Sequence, residues 1–151
     1  MMKKAIILIM CLFLVGCTSK EEKTVKTIND FTTVCSNVGL ATADRMNMYK
    51  NDDYIKEAMQ CVADNLEIEM VVYDNMESAK EVQEKQIENF NLLKSTNSIS
   101  NKDKGKNYYR YEMVGNGYYM YSLQVDNTLI FTKTLLANKD KVTSVLEGLG
   151  Y

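Results

Sequence analysis

The chain has 151 residues, with 18 lysine and arginine residues against 20 aspartate and glutamate residues, and it contains no histidine, proline or tryptophan. The absence of histidine excludes a Ser-His or Cys-His nucleophile and a histidine-ligated zinc site. A slightly acidic chain lacks the basic face that binds nucleic acid, so we expect no nucleic-acid partner. The sequence carries no motif for a catalytic residue, a metal site or a cofactor, and we therefore expect a protein that is not an enzyme.

The N-terminus has the pattern of a secretory signal peptide. Two lysines precede an apolar stretch, residues 5–16, that is shorter than the about 20 residues needed to span a bilayer. The stretch runs into Leu14-Val15-Gly16-Cys17, which resembles the lipobox of bacterial lipoproteins. The resemblance implies that a diacylglyceryl group is attached to the Cys17 sulfur and that the chain is cleaved after Gly16.

This N-terminus divides the chain into three parts. We expect residues 1–16 to be a cleaved signal peptide, residues 17–26 a polar lipidated tether, and residues 27–151 a single globular domain. Two acyl chains hold a protein stably on a membrane, so we expect the domain to lie on the extracytoplasmic face of the cell membrane. The abundance of lysine, asparagine, isoleucine and tyrosine is typical of a low-GC Gram-positive source.

The cysteines indicate a disulfide. Cys11 leaves with the signal peptide and Cys17 is lipidated, so Cys35 and Cys61 remain. A pair of cysteines in an exported domain favours a bridge. The alternative is two unpaired buried thiols, since free cysteine behaves as a small hydrophobe. A bridge would close a loop of roughly 27 residues and contribute about 3–4 kcal/mol in the chain-entropy model.

The domain begins with a predicted helix. Apolar residues at helical spacing before Gly39 predict this helix over residues 26–38, with Cys35 on its buried face. Residues 40–55 are mixed in character, and we expect a short helix near them.

A hairpin follows. Alternating apolar and acidic residues predict strands at about 57–63 and 66–73, joined by a turn at Asp64-Asn65. Pairing across a two-residue turn places Cys61 opposite Ile68, on the apolar face of the hairpin. The cysteine of the first helix can reach that face, and this geometry supports the disulfide.

The second half of the domain predicts an amphipathic helix, a polar mobile loop, three strands and a last helix. The expected ranges are 75–94 for the helix, 95–106 for the loop, and 107–114, 118–125 and 128–135 for the strands, with Asn138 or Asp140 capping the last helix. Short links between strands favour antiparallel hairpins. We therefore predict an α+β fold in two layers, with helices packed on a mostly antiparallel five-stranded sheet, in the order α-ββ-α-βββ-α.

Six tyrosines lie between Tyr108 and Tyr121, and their orientation depends on the turn Gly115-Asn116-Gly117. A three-residue turn places Tyr109, Tyr111, Tyr119 and Tyr121 on one buried face, and we choose it because register follows the buried face. Tyr108 and Tyr118 then lie on the solvent face beside Arg110, as a candidate surface for binding sugars or peptides. The plainer interpretation is strand propensity and core filling.

The second half also resembles a known group. The region from Asn107 to Tyr151 is similar to small exported lipoproteins of Gram-positive bacteria that have no assigned function. The similarity rests on the tyrosine-rich hairpin, on the turn spanning residues 125–130 and on the ending Leu146-Glu147-Gly148-Leu149-Gly150-Tyr151. The acidic strand and the helix within residues 66–82 fit the same group. The resemblance supplies no catalytic residues.

Four carboxylates are the candidates for chemistry. Asp52, Asp53, Glu67 and Glu69 lie in two pairs, and paired carboxylates can perform acid–base catalysis or hold calcium. The plainer interpretation is a solvated turn and the exposed face of a strand.

We therefore expect a membrane-anchored binding module of the cell envelope. It would recognise an unknown protein or envelope component through one face of the sheet or through the 95–106 loop. The alternatives are a carboxylate-dependent envelope hydrolase or accessory enzyme and, by fold analogy alone, a small inhibitor or immunity-type protein. Converging carboxylates in a deep cavity would favour the enzyme, whereas a flat apolar patch would favour the binding module.

Overall fold

The computed structural model describes residues 21–151, which form three α-helices and seven β-strands. The helices are α1 (Ile28–Asn37), α2 (Met76–Leu92) and α3 (Lys139–Gly148). The strands are β1 (Ala41–Asp44), β2 (Ile55–Ala63), β3 (Leu66–Tyr73), β4 (Ile99–Lys104), β5 (Tyr108–Gly115), β6 (Tyr118–Val125) and β7 (Thr128–Leu135). The predicted signal peptide, Cys17 and residues 18–20 of the predicted tether lie outside the described residues. Across residues 21–151, no helix is both long enough and apolar enough to cross a membrane.

All seven strands form one antiparallel sheet in the order β1-β2-β3-β7-β6-β5-β4. The prediction of a five-stranded sheet in the order α-ββ-α-βββ-α is therefore wrong. The protein is mostly β with three helices, and the two additional strands, β1 and β4, form the two edges of the sheet.

The composition of the edge strands explains why they were missed. Strand β4 has the sequence Ile-Ser-Asn-Lys-Asp-Lys, and five of its six residues are exposed. An edge strand whose side chains are mostly in contact with water need not alternate apolar and polar residues. Lysines on such an edge discourage pairing with another chain. The segment predicted as a mobile loop therefore contains an edge strand. Similarly, the 40–55 region contains β1 and a short 3₁₀ turn at Met46–Met48.

The predicted register of β5 and β6 is also wrong. The turn has two residues, because Gly115 pairs with Tyr118 and Glu112 pairs with Tyr121. Asn116 and Gly117 have φ angles of 53° and 79°, and a two-residue turn with both central residues at positive φ matches the right-handed twist of a hairpin. Asparagine and glycine are the residues that adopt this conformation most readily.

Helices cover both faces of the sheet, so the molecule has three layers and not the predicted two. Helices α1 and α3 pack on one face and form the larger core, which includes Phe31, Cys35, Ile68, Tyr121, Leu123 and Val145. Helix α2 packs on the other face, where Ala79 meets Val71 and Leu129. Further along α2, Phe90 meets Tyr111 and Met120. Because side chains alternate along a strand, β6 contributes Tyr121 to one core and Met120 to the other.

The predicted disulfide is present. Cys35 of α1 and Cys61 of β2 are bonded, with 6.0 Å between their Cα atoms. Cys61 lies opposite Ile68 in the β2–β3 hairpin, as predicted. The bridge therefore joins α1 to the sheet at a point where both cysteines are fully buried.

The starts of the three helices differ in how they are capped. Thr27 caps α1 in a reciprocal arrangement with Asp30, and Asn75 accepts a hydrogen bond from the Ser78 amide at the start of α2. Asn138 precedes α3 but makes no capping hydrogen bond with its side chain. Its side-chain nitrogen Nδ2 donates instead to the Asn65 carbonyl oxygen at 2.9 Å. This hydrogen bond connects the start of α3 to the β2–β3 turn.

Candidate functional site

A polar groove lies on the α2 face of the sheet, between α2 and strands β2, β3 and β7. Its volume is about 330 Å³. We call it the α2 groove, and its lining residues are Gln60, Glu67, Glu69, Gln86, Asn89, Phe90, Phe131, Thr132 and Lys133. Carboxylates, amides, an ammonium group and aromatic rings converge there, and such groups can hydrogen-bond to a polar ligand and pack against it.

The hairpin β2–β3 supplies the floor of the groove. Strand alternation points Glu67 and Glu69 to the same face, and Gln60 lies directly opposite Glu69 on β2. Gln60 donates a hydrogen bond from Nε2 to Glu67 Oε2 at 3.0 Å. Glu67 is exposed, so its carboxylate can accept further hydrogen bonds from a molecule in the groove.

Glu69 is held differently from Glu67. It is only 8% exposed, and the Tyr49 hydroxyl donates a hydrogen bond to Glu69 Oε1 at 2.6 Å. Burial raises the pKa of the Glu69 carboxyl above its ordinary value, and the hydrogen bond from Tyr49 opposes that rise. Burial together with this hydrogen bond also raises the pKa of the Tyr49 phenol. The pair therefore fixes the shape of the inner wall of the groove.

Helix α2 forms the opposite wall. Gln86 accepts a hydrogen bond from the Ser122 hydroxyl at 2.9 Å, which fixes the orientation of its side chain against β6. Asn89 lies three residues further along the helix, and residues at this spacing share one face, so Asn89 lines the groove beside Gln86. Asn89 is exposed. Phe90 is buried beside them and closes the groove on its apolar side.

The groove continues into a shallower depression at the end of the sheet where Tyr118 lies. This extension has a volume of about 310 Å³ and shares Glu67 and Lys133 with the α2 groove. Tyr118 is 39% exposed, and the Lys133 ammonium lies 5.4 Å from the centre of its ring. Groove and extension together form a continuous polar surface with an exposed aromatic ring at one end.

The structure separates the three residues that were predicted to form one binding surface. Tyr108 and Arg110 face the α1–α3 side of the sheet, while Tyr118 faces the α2 side at the opposite end of the strands. Tyr108 is only 3% exposed, and its hydroxyl donates to Asp103 at 3.1 Å. Burial and the neighbouring Asp103 raise the pKa of Tyr108 to about 12. Arg110 lies 3.8 Å from Asp103 in a partly exposed ion pair. Tyr118 alone therefore remains part of a candidate site.

The carboxylate pairs also separate. Glu67 and Glu69 both line the α2 groove, whereas the plainer interpretation placed them on the solvated face of a strand. Asp52 and Asp53 lie elsewhere, in the loop before β2. Among residues 21–151, no group of three or more histidine, cysteine, aspartate or glutamate side chains is placed to hold a metal ion.

Sequence reasoning missed the amides and the lysine of the groove. Gln60 and Lys133 lie within the predicted strands at about 57–63 and 128–135, and Gln86 lies within the predicted helix over residues 75–94. A glutamine on the buried stripe of an amphipathic helix is the signal that was available, because a buried amide requires partners from another element. Gln83, on the same helix, is almost fully buried and donates to the Tyr109 carbonyl oxygen at 2.8 Å.

Comparisons with known proteins give little. No family model matches the sequence, and no curated protein matches it. One solved structure, described as a GTP binding regulator from Thermotoga maritima, aligns with a TM-score of 0.48 at 15% sequence identity, over 80% of this chain and 84% of that chain.

Proposed function

We propose that the protein is a membrane-anchored extracytoplasmic lipoprotein that acts as a binding module of the cell envelope. In this proposal, lipid on Cys17 holds the protein at the outer side of the membrane, and the α2 groove binds a polar envelope component. The Cys35–Cys61 disulfide supports an oxidising location outside the cytoplasm.

The observation that carries the binding role is the chemistry of the groove and its extension. Amide and carboxylate groups such as Gln60, Glu67 and Asn89 can hydrogen-bond to hydroxyl and amide groups of a ligand. The exposed ring of Tyr118 offers a flat apolar face next to them. This combination suits a saccharide chain that bears amides, and two adjoining depressions that share Glu67 and Lys133 suit a polymer more than a compact small molecule.

The lipid anchor is tested by replacing Cys17. We expect Cys17→Ala to abolish incorporation of labelled fatty acid and to leave the precursor uncleaved, because the thiol is the atom that would carry the diacylglyceryl group. Metabolic labelling followed by gel analysis measures both effects. Incorporation equal to that of the unaltered protein would contradict the anchor.

Ligand binding is tested by sedimentation with purified cell-wall sacculi, an insoluble glycan polymer. We expect Tyr118→Ala and Glu67→Gln each to weaken binding several-fold, up to about tenfold, because each removes one aromatic or charged contact. Bound protein is measured as a function of the amount of sacculi. The side chains of both residues are exposed, so the variants are expected to remain folded.

Matched controls come from the same chain. Tyr54 is 40% exposed, close to the value for Tyr118, but lies outside the groove and its extension. Glu57 is an exposed glutamate of β2 that does not line the groove. Tyr54→Ala and Glu57→Gln should bind sacculi like the unaltered protein. Equal losses in control and groove variants, or no loss in any of them, would refute the groove as the binding site.

One observation favours a second candidate, a carboxylate-dependent envelope hydrolase. Glu67 and Glu69 share the groove, and a carboxyl whose pKa is raised by burial, like that of Glu69, suits a general acid. Release of soluble fragments from the same sacculi distinguishes the two candidates. An enzyme would release fragments and lose this activity in Glu69→Gln, whereas a binding module would release none.

A further inference from the structure

Backbone atoms of the segment before α1 form hydrogen bonds with the backbone and with the Asn107 side chain of the β4–β5 loop. The Lys106 amide donates to the Glu21 carbonyl oxygen at 2.8 Å. The Lys23 amide donates to Asn107 Oδ1 at 2.9 Å, and Asn107 Nδ2 donates back to the Lys23 carbonyl oxygen at 2.8 Å. Residues 21–24, which belong to the predicted tether of residues 17–26, therefore form a docked segment, which we call the N-terminal strap.

Side chains reinforce the strap. The Lys23 ammonium lies 4.7 Å from the centre of the Tyr108 ring, and the Tyr151 hydroxyl donates to the Thr24 carbonyl oxygen at 2.9 Å. Gly105 lies below the strap, and a Cβ atom at this position would collide with both the Tyr108 ring and the Glu21 carbonyl oxygen. The loop thus requires a glycine for the strap to approach this closely.

A second cavity opens beside the strap, between the start of α2 and the β4–β5 loop. It has a volume of about 210 Å³, and three lysines and one carboxylate line it: Lys80, Lys104, Lys106 and Glu84. Lys80 and Lys106 form ion pairs with Glu77 at 3.9 Å and Glu22 at 2.9 Å. Exposed pairs of this kind contribute little, so both ammonium groups can exchange to another anion.

The position of the strap limits how far this cavity lies from Cys17. Even a fully extended chain from Cys17 to Glu21 spans at most about 14 Å. If Cys17 carries lipid, as proposed above, the β4–β5 loop must lie next to the membrane surface. The Tyr118 end of the sheet, where the α2 groove opens into its extension, then points away from the membrane.

We propose that the lysine-lined cavity faces the membrane and binds the phosphate of an anionic lipid headgroup. This inference rests on the lipid anchor of the proposed function. Lysine binds phosphate as a point charge, and lysines close to an anionic membrane surface add to its attraction for a protein. The cavity therefore orients the domain, and the anchor supplies the membrane affinity.

The test uses tryptophan as a depth reporter, because the chain has none of its own. Met76 lines the cavity and is 40% exposed, whereas Leu92, at the other end of α2, is 83% exposed. Lipidated Met76→Trp and Leu92→Trp proteins are reconstituted into vesicles that contain brominated phosphatidylcholine, with or without phosphatidylglycerol. We expect quenching of the Met76→Trp fluorescence that increases with phosphatidylglycerol, and little quenching of the Leu92→Trp fluorescence.

Charge variants in the Met76→Trp protein test the cavity itself. Replacing Lys80, Lys104 and Lys106 together with glutamine should reduce quenching to the value seen without phosphatidylglycerol. A control that replaces Lys50, Lys85 and Lys94, three exposed lysines outside the cavity lining, should leave it unchanged. Asn107→Ala, which releases the strap, should also reduce the difference between the two reporters.

Several outcomes overturn the inference. Equal quenching of the two reporters contradicts the orientation, and quenching independent of phosphatidylglycerol or of the three cavity lysines contradicts the headgroup site. Displacement by low concentrations of free glycerol phosphate would show a site for a soluble phosphate ester instead. Mass spectrometry of the Cys17 peptide from the same preparation separates these results from a failure of the anchor, since absence of lipid there refutes the proposed function as well.

Discussion

Truncating Tyr121 to alanine is expected to lower the free energy of unfolding by about 3–5 kcal/mol, as large aromatic deletions do in protein cores. Tyr121 is 3% exposed and lies in the core between the sheet and helices α1 and α3. Its ring centre lies 6.2 Å from that of Tyr119, so the variant leaves a cavity beside a second aromatic ring. Urea unfolding followed by circular dichroism measures the change.

Two other tyrosines of the same hairpin serve as comparisons. Tyr118→Ala should change the free energy of unfolding by less than about 1 kcal/mol, because Tyr118 is 39% exposed and lies outside the buried core, whereas Tyr121 is only 3% exposed. Tyr108→Ala should be damaging, since Tyr108 is as buried as Tyr121 and supports the N-terminal strap. A mild effect of Tyr108→Ala would contradict the two-residue turn, because the three-residue turn places Tyr108 on the solvent face. A mild effect of Tyr121→Ala would contradict its place in the core.

Loss of the Cys35–Cys61 disulfide is expected to lower the free energy of unfolding by about 3–4 kcal/mol, mainly by releasing the unfolded chain from a closed loop. The two cysteines are separated by 26 positions in the sequence. Urea unfolding of the oxidised protein and of the Cys35→Ala, Cys61→Ala and double variants measures the effect. Each single variant should cost about as much as the double variant, since either replacement removes the bridge.

Alkylation provides an independent check on the disulfide. Both cysteines are fully buried and bonded, so neither should be labelled in unreduced protein, even after unfolding in denaturant. After reduction under the same conditions, both should be labelled. Labelling of the unreduced, unfolded protein would show two free thiols, and the predicted loss of stability would then have no physical basis.

The groove and the strap lie in different parts of the molecule. The strap and the lysine-lined cavity share the end of the sheet formed by the β4–β5 loop, where Asn107 donates to Asp126 at 2.8 Å. Tyr118 lies at the other end, beside the turn of residues 116–117. In the proposed function, a module anchored at the strap end and open at the Tyr118 end would hold an envelope polymer away from the bilayer.

Several local features could be predicted from the sequence because they depend on neighbouring residues. The helical spacing of apolar residues predicted α1 and α2. The β2–β3 hairpin was predicted in its correct register, because Glu67 alternates with residues such as Ile68 and because Asp64-Asn65 suits a turn. That register also placed Cys61 within reach of α1, so the disulfide followed from local patterns.

The β5–β6 register could not be obtained in the same way. Apolar alternation identifies the two faces of a strand only when one face meets water. Here helices cover both faces, so Tyr111 and Tyr121 are both buried although they face opposite sides of the sheet. The burial of the tyrosines therefore does not determine the register. The Asn116-Gly117 turn does indicate it, because the register depends on the backbone conformation of the turn.

The candidate site was decided by the tertiary structure alone. The sequence identified Glu67 and Glu69 as a pair, but the α2 groove also requires Gln60 from β2, Gln86 from α2 and Lys133 from β7. These elements meet because β7 pairs with β3 across more than fifty intervening residues and α2 packs over both strands. The sequence by itself thus determined the helices, the hairpin and the bridge, which follow from the periodicity of adjacent residues. The faces, the edges and the groove depend on contacts between distant elements, and no local pattern encodes those.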